Sequence, residues 1–129
     1  MHVGISELTT DKRFELIQSM DAFIGLQAVL LDKDTQRKEL YGKAGAMRMK
    51  PYGVEWRVPS NFWAHSKYNR KWMFDAAMFC GNNFSEVSYL YHKVDIVNII
   101  NENNKKAALK ELKQLHKQVQ FPLHKILGG

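Results

Sequence analysis

Apolar positions between residues 11 and 31 recur at helical spacing. Phe14, Ile17, Met20 and Ile24 fall three or four apart, with Asp21 a polar exception inside the stripe. Thr10 or Asp11 can cap the start, so the spacing predicts a helix from about Asp11 to Gly25. Leu26, Ala28, Val29, Leu30 and Leu31 continue as an apolar run that reads equally as a last helical turn or a buried strand. Elsewhere the period is two. His2, Val3 and Ile5 lie in one such stretch, and Val54-Glu55-Trp56-Arg57-Val58 in another, which predicts short strands near 2–6 and 54–58. Val54, Trp56 and Val58 then share one face, and Glu55 and Arg57 the other. Beyond Pro59, Ser60 suits the cap of an aromatic-rich helix from Asn61 to about Cys80, closed by Gly81-Asn82-Asn83. Phe62, Trp63 and Phe74 fall where that helix would bury them. Three further segments, 84–91, 94–102 and 105–118, read as helices, the last with Ala108, Leu112 and Leu115 on one stripe. Pro122 and Gly128-Gly129 predict a frayed tail. The pattern as a whole predicts an α+β fold with a helix-rich C-terminal half.

Length narrows this to one domain, since 129 residues suit a single core. A motif-bearing part spans 1–82 and a helical tail 83–129. The 45% hydrophobic and 25% charged composition is that of a globular chain and excludes a disordered one. No apolar run approaches the roughly 18 residues of a membrane span, and the first residues lack the basic and apolar regions of a secretory signal. The expectation is therefore a cytoplasmic protein without a membrane partner. Cys80, the single cysteine, excludes an intrachain disulfide and a multi-cysteine zinc site. It reads as a small buried apolar residue, and Ser60 as a cap, so neither is the expected nucleophile.

Charge changes the picture more. The net +6 divides into −3 over residues 1–32, +7 over 33–71, −3 over 72–104 and +5 over 105–129. Positive blocks attract the phosphates or carboxylates of nucleic acids, nucleotides and acidic substrates. The C-terminal lysines read as a solvated helix face. Residues 32–53 read instead as an irregular loop, broken by Asp32, Asp34, Gly42, Gly45, Pro51 and Gly53 and carrying Lys33, Arg37, Lys38, Lys43, Arg48 and Lys50. Glycines let backbone approach an anion, and Lys43 and Arg48 neutralise it, although the Walker pattern is absent. If the Glu55–Arg57 face lines a pocket, the carboxylate can hold a divalent metal while the guanidinium holds phosphate. The plainer reading is a surface ion pair on an edge strand. His2 is a further candidate. His65, His92, His116 and His124 lack ligand spacing and read as surface or packing residues.

The ordered set Asp32-x-Asp34, Arg37, Leu40-Tyr41-Gly42-Lys43-Ala44-Gly45, Arg48, Lys50-Pro51-Tyr52-Gly53-Val54-Glu55-Trp56-Arg57 and Ser60-Asn61-Phe62-Trp63 resembles the C-terminal half of the phage-type carboxylate–amine ligases. These are amidoligases of the glutamine synthetase-like superfamily. His2-Val3-Gly4 is similar to the tail of that family's His-x-His-[Val/Ile]-Gly strand. The resemblance runs from about residue 2 to 63. It implies a partial curved antiparallel sheet with flanking helices. It also implies a ligase that uses ATP and Mg2+ to activate a carboxylate as an acyl phosphate for attack by an amine. On this reading Glu55 and His2 are metal ligands, and Arg48 and Arg57 stabilise the phosphoryl group or clamp the substrate carboxylate. Arg37, Lys43 and Gly45 complete the nucleotide contacts. The chain departs from the family in having Gln36 where a second Arg is usual and Trp56 where Tyr or Phe is usual. Family members also carry an N-terminal half with a Glu-x-Glu strand, for which nothing before His2 corresponds. A split enzyme completed by an N-terminal-half chain or by a homo-oligomer, a fragment, and a remnant reused for binding all stay open. In the last case the chain is an inactive basic phage protein gripping nucleotide, nucleic acid or a host protein, with aromatics from Trp56 to Trp72 suited to stacking on single strands.

Overall fold

The computed structural model describes residues 2–4, 9–31, 43–45, 47–50, 53–59, 62–84 and 95–127. A short strand, β1 (His2–Gly4), precedes helix α1 (Thr10–Met20). The helical backbone then passes through a π-helical stretch (Asp21–Gly25) into α2 (Leu26–Leu31), with right-handed conformation at both junctions. Of the two readings open for Leu26–Leu31, the helical one holds. The cap is Thr9, whose side chain accepts from the Lys12 amide at 3.2 Å, one residue earlier than expected. Leu16, Ile17, Met20 and all of Asp21–Gly25 are buried, whereas Phe14 is exposed. Asp11–Leu31 is long and apolar enough to cross a membrane by length and composition, contrary to the expectation that no run approaches such a span. Most of it is buried inside this fold, where it forms the central core helix.

Strands β2 (Met47–Lys50) and β3 (Gly53–Trp56) complete a three-stranded antiparallel sheet in the order β1-β3-β2. β2 corrects the expectation of an irregular loop throughout 32–53. Met47 and Met49 alternate with Arg48 and Lys50, and β3 needs a hydrogen-bonding partner on its second edge. Trp56 and Val58 are buried in the core.

A 3-10 turn (Phe62–His65) leads into α3 (Lys67–Asn83). Ser66 caps α3 by accepting from the Asn69 amide at 2.9 Å, while the expected cap, Ser60, lies outside the described residues. The later start changes the helix phase. Trp72, Met73, Ala76, Ala77 and Cys80 form the buried face. Phe74, expected in the core, is 56% exposed and meets half-buried Trp63 edge to face. Of the predicted helix 84–91, residues 85–91 lie outside the described set.

Helix α4 (Ile96–Asn101) ends in a Schellman arrangement. Asn103 takes φ +51°, its amide donates to Ile100 O, and the Asn104 amide donates to Ile99 O. Asn104 then caps α5 (Lys105–Gln118), accepting from the Ala107 amide at 3.1 Å. The α5 bounds match the prediction. Ala108, Leu112 and Leu115 are buried and its lysines are exposed.

The C-terminal segment is pinned, not frayed. Phe121 packs on Phe23 at 4.6 Å between ring centroids. The buried Gln27 side chain donates to Pro122 O and accepts from the His124 amide. The buried His124 ring sits edge-on to Tyr68 and Trp72. Its Nδ1 accepts from the Ile126 amide at 3.2 Å, so the proton lies on Nε2, which donates to Asn69 Oδ1 at 2.7 Å. Burial, with Lys125 beside it, holds the His124 pKa below its ordinary value of 6.5. Between the folded and the ordinary value the unfolded chain binds more protons, so the stability this ring contributes is complete above pH 6.5 and is lost as pH falls below it. Urea unfolding at pH 7.5 and 5.5 should therefore show a loss of stability on acidification, reduced in His124→Gln.

Gly25 sets a close approach. A Cβ there would meet the buried Ile100 Cδ1 at 2.8 Å. Gly25→Val should destabilise the fold by about 1–3 kcal/mol through overpacking, read as a lowered thermal midpoint.

Candidate functional site

The sheet register gathers the candidates. Glu55 on the central strand pairs with His2 on one neighbour and with Arg48 on the other. Directly opposed positions in antiparallel strands lie on one side of a sheet, about 4.5–5.5 Å apart. His2, Glu55 and Arg48 thus form one row across all three strands. Arg57, two residues beyond Glu55, brings its Nε to 3.8 Å from Glu55 Oε1. Both side chains are partly accessible and Arg48 is exposed. A partly exposed pair of this kind contributes at most about 1 kcal/mol to stability, so the row has little structural value as an ion pair. Its chemistry is alternating sign on an accessible face: a carboxylate for a cation, flanked by guanidiniums for an anion.

The stretch Lys43 to Gly45 lies just before β2. Gly45 has φ +77°, and a Cβ there would meet nothing within 4 Å. The glycine is needed for its conformation, not for space. The Gly45 amide donates to Asp21 Oδ2 at 2.8 Å, and the Ala44 amide to Asn101 Oδ1 at 2.7 Å. These amides turn inward, so the stretch offers the exposed Lys43 side chain, and not an amide cradle, to an anion. Of the remaining candidates, Arg37 lies outside the described residues.

Sequence reasoning missed the two anchors. Asp21 is fully buried at the start of the π-helical stretch. Besides the Gly45 amide it accepts the Trp56 indole N–H, through Oδ1 at 3.0 Å. The signal was present as a carboxylate inside an apolar stripe, because a buried carboxylate requires polar partners. Asn101 carried no such signal, being one of several asparagines near a helix end.

Among the described residues no three His, Cys, Asp or Glu side chains gather as a metal cage. Mg2+ is commonly held by one or two carboxylates together with phosphate oxygens and water. Glu55 is a fitting donor of that kind. Trp56 and Trp72, two of the aromatics interleaved with basic residues, are buried and offer no stacking surface. Cys80 is fully buried, its thiol donates to Ser19 O at 3.7 Å, and burial pushes its pKa up to about 12. Native protein should resist alkylation by iodoacetamide at pH 8, and urea-unfolded protein should react fully, as mass spectrometry would show.

A family model for phage phiEco32-like COOH.NH2 ligase-type 2 matches residues 1–124, extending well past residue 63, near which the resemblance carried by the motifs ends. No curated protein and no solved structure matches the chain.

Proposed function

The chain belongs to the phage phiEco32-like COOH.NH2 ligase type 2 family, and we propose that it works as all or part of an ATP- and Mg2+-dependent enzyme joining a carboxylate to an amine. The observation that carries the reading is the row His2–Glu55–Arg48 with Arg57 at its side. On this reading the substrate carboxylate attacks the γ-phosphorus of ATP and ADP leaves. The amine then attacks the acyl carbon of the acyl phosphate, inorganic phosphate leaves, and the amine proton passes to water.

Glu55 and His2 would hold Mg2+, which when bound neutralises phosphate oxygens. Arg48 and Arg57 supply fixed positive charge where the transferring phosphoryl group spreads its own. Lys43 and Arg37 add outer contacts to the phosphates, Lys43 as a point charge on a pinned turn. Gly45 supports the site through backbone shape. A separate chain carrying further acidic ligands, or a second copy of this one, would complete the cation's shell, and the expected setting is the host cytoplasm.

Calorimetric titration of ATP with and without Mg2+ tests the reading. Saturable binding should require Mg2+. It should weaken at least tenfold in Glu55→Ala and in Arg57→Ala while the thermal midpoint stays within a few degrees. Binding that ignores both substitutions, or no Mg2+-dependent binding, would overturn it.

A further inference from the structure

The π-helical stretch and the end of α4 grip adjacent residues of one turn. Asp21 Oδ2 takes the Gly45 amide, Asn101 Oδ1 takes the adjacent Ala44 amide, and Asp21 Oδ1 holds the Trp56 indole next to Glu55 and Arg57 in the chain. Gly25, in the same π stretch, admits Ile100, the residue before Asn101. One carboxylate therefore ties the turn carrying Lys43 to the strand carrying Glu55. We propose that Asp21 is the positioning residue of this site, with Asn101 as its second anchor: it acts on bound phosphate through the Lys43 turn, while its bond to the Trp56 indole is a core contact. The assignment rests on the reading above.

The geometry separates this role from a plain core contact. Asn at position 21 offers one acceptor oxygen where the carboxylate gives one each to Gly45 N–H and Trp56 Nε1–H, so one of these two must face an amide N–H. Removing the indole donor relieves that conflict and leaves the single oxygen to Gly45. Loss and rescue should thus follow the turn and not the indole.

Amide hydrogen exchange on the full chain without ligand, paired with Mg2+-ATP titration, tests this. In Asp21→Asn, protection at Ala44 and Gly45 should fall at least tenfold while α5 amides keep theirs, and the Mg2+-ATP dissociation constant should rise about tenfold or more. Trp56→Phe should bind within threefold of the parent, and the double variant Asp21→Asn/Trp56→Phe should recover most of the lost affinity. Asn101→Ala, which leaves Asp21 in place, should lower protection at Ala44 and weaken binding severalfold, and it decides the matter if Asp21→Asn does not fold. The proposal is overturned if folded Asp21→Asn binds like the parent, if Trp56→Phe loses as much as Asp21→Asn, or if Asn101→Ala leaves both readouts unchanged. A parent chain that binds no Mg2+-ATP overturns the nucleotide reading instead, and exchange at Ala44 and Gly45 then still judges the anchoring.

Discussion

A buried carboxylate at position 21 joins three parts of this protein that sequence separates. It sits inside the most apolar helical stretch of the chain, where it meets a backbone amide from the turn before β2 and an indole N–H from the central strand. Leaving such a group without partners would cost several kcal/mol. The core helix, the turn and the sheet are therefore constrained to meet at that point. The π-helical geometry belongs to the same constraint, since a widened turn commonly marks a place where a helix yields its regularity to function.

From that joint outward, each side of β3 has its own task. Trp56 and the buried Val58 serve the core, while Glu55 stands in the row that crosses the sheet with Arg57 at its side. The Glu55–Arg57 stretch is thus backed by the packed apolar side chains of Trp56 and Val58. Close spacing of opposite charges on an accessible face contributes little to folding.

The other end of the core helix is secured by different chemistry. Gln27, Trp72, Asn69 and Tyr68 all hydrogen-bond the C-terminal segment, and Phe23 stacks against Phe121. This clasp places a neutral histidine ring between two aromatics and couples the last described residues to the helix that bears Asp21. Lysines on α5 face solvent meanwhile, so the basic C-terminal block forms a solvated helix face.

Periodicity made much of the fold legible. Ala108, Leu112 and Leu115 fixed the buried stripe of α5, the asparagines before it marked its start, and the alternation around Trp56 marked β3, because burial on one face imposes its own period on a chain. The motifs around Lys43, Arg48 and Glu55 likewise announced the family. Local pattern could not supply what depends on distant partners. β2 is a strand because β3 had an edge to fill, α3 starts at Lys67 because Ser66 meets its free amides, and the tail is ordered because Gln27 reaches it across the core. Residue types and their order were set by the sequence alone. The alignment of His2 with Glu55, and the inward turn of the Gly45 amide toward Asp21, came only with tertiary structure, since pairings between residues 53 and 24 positions apart leave no mark on either segment read by itself.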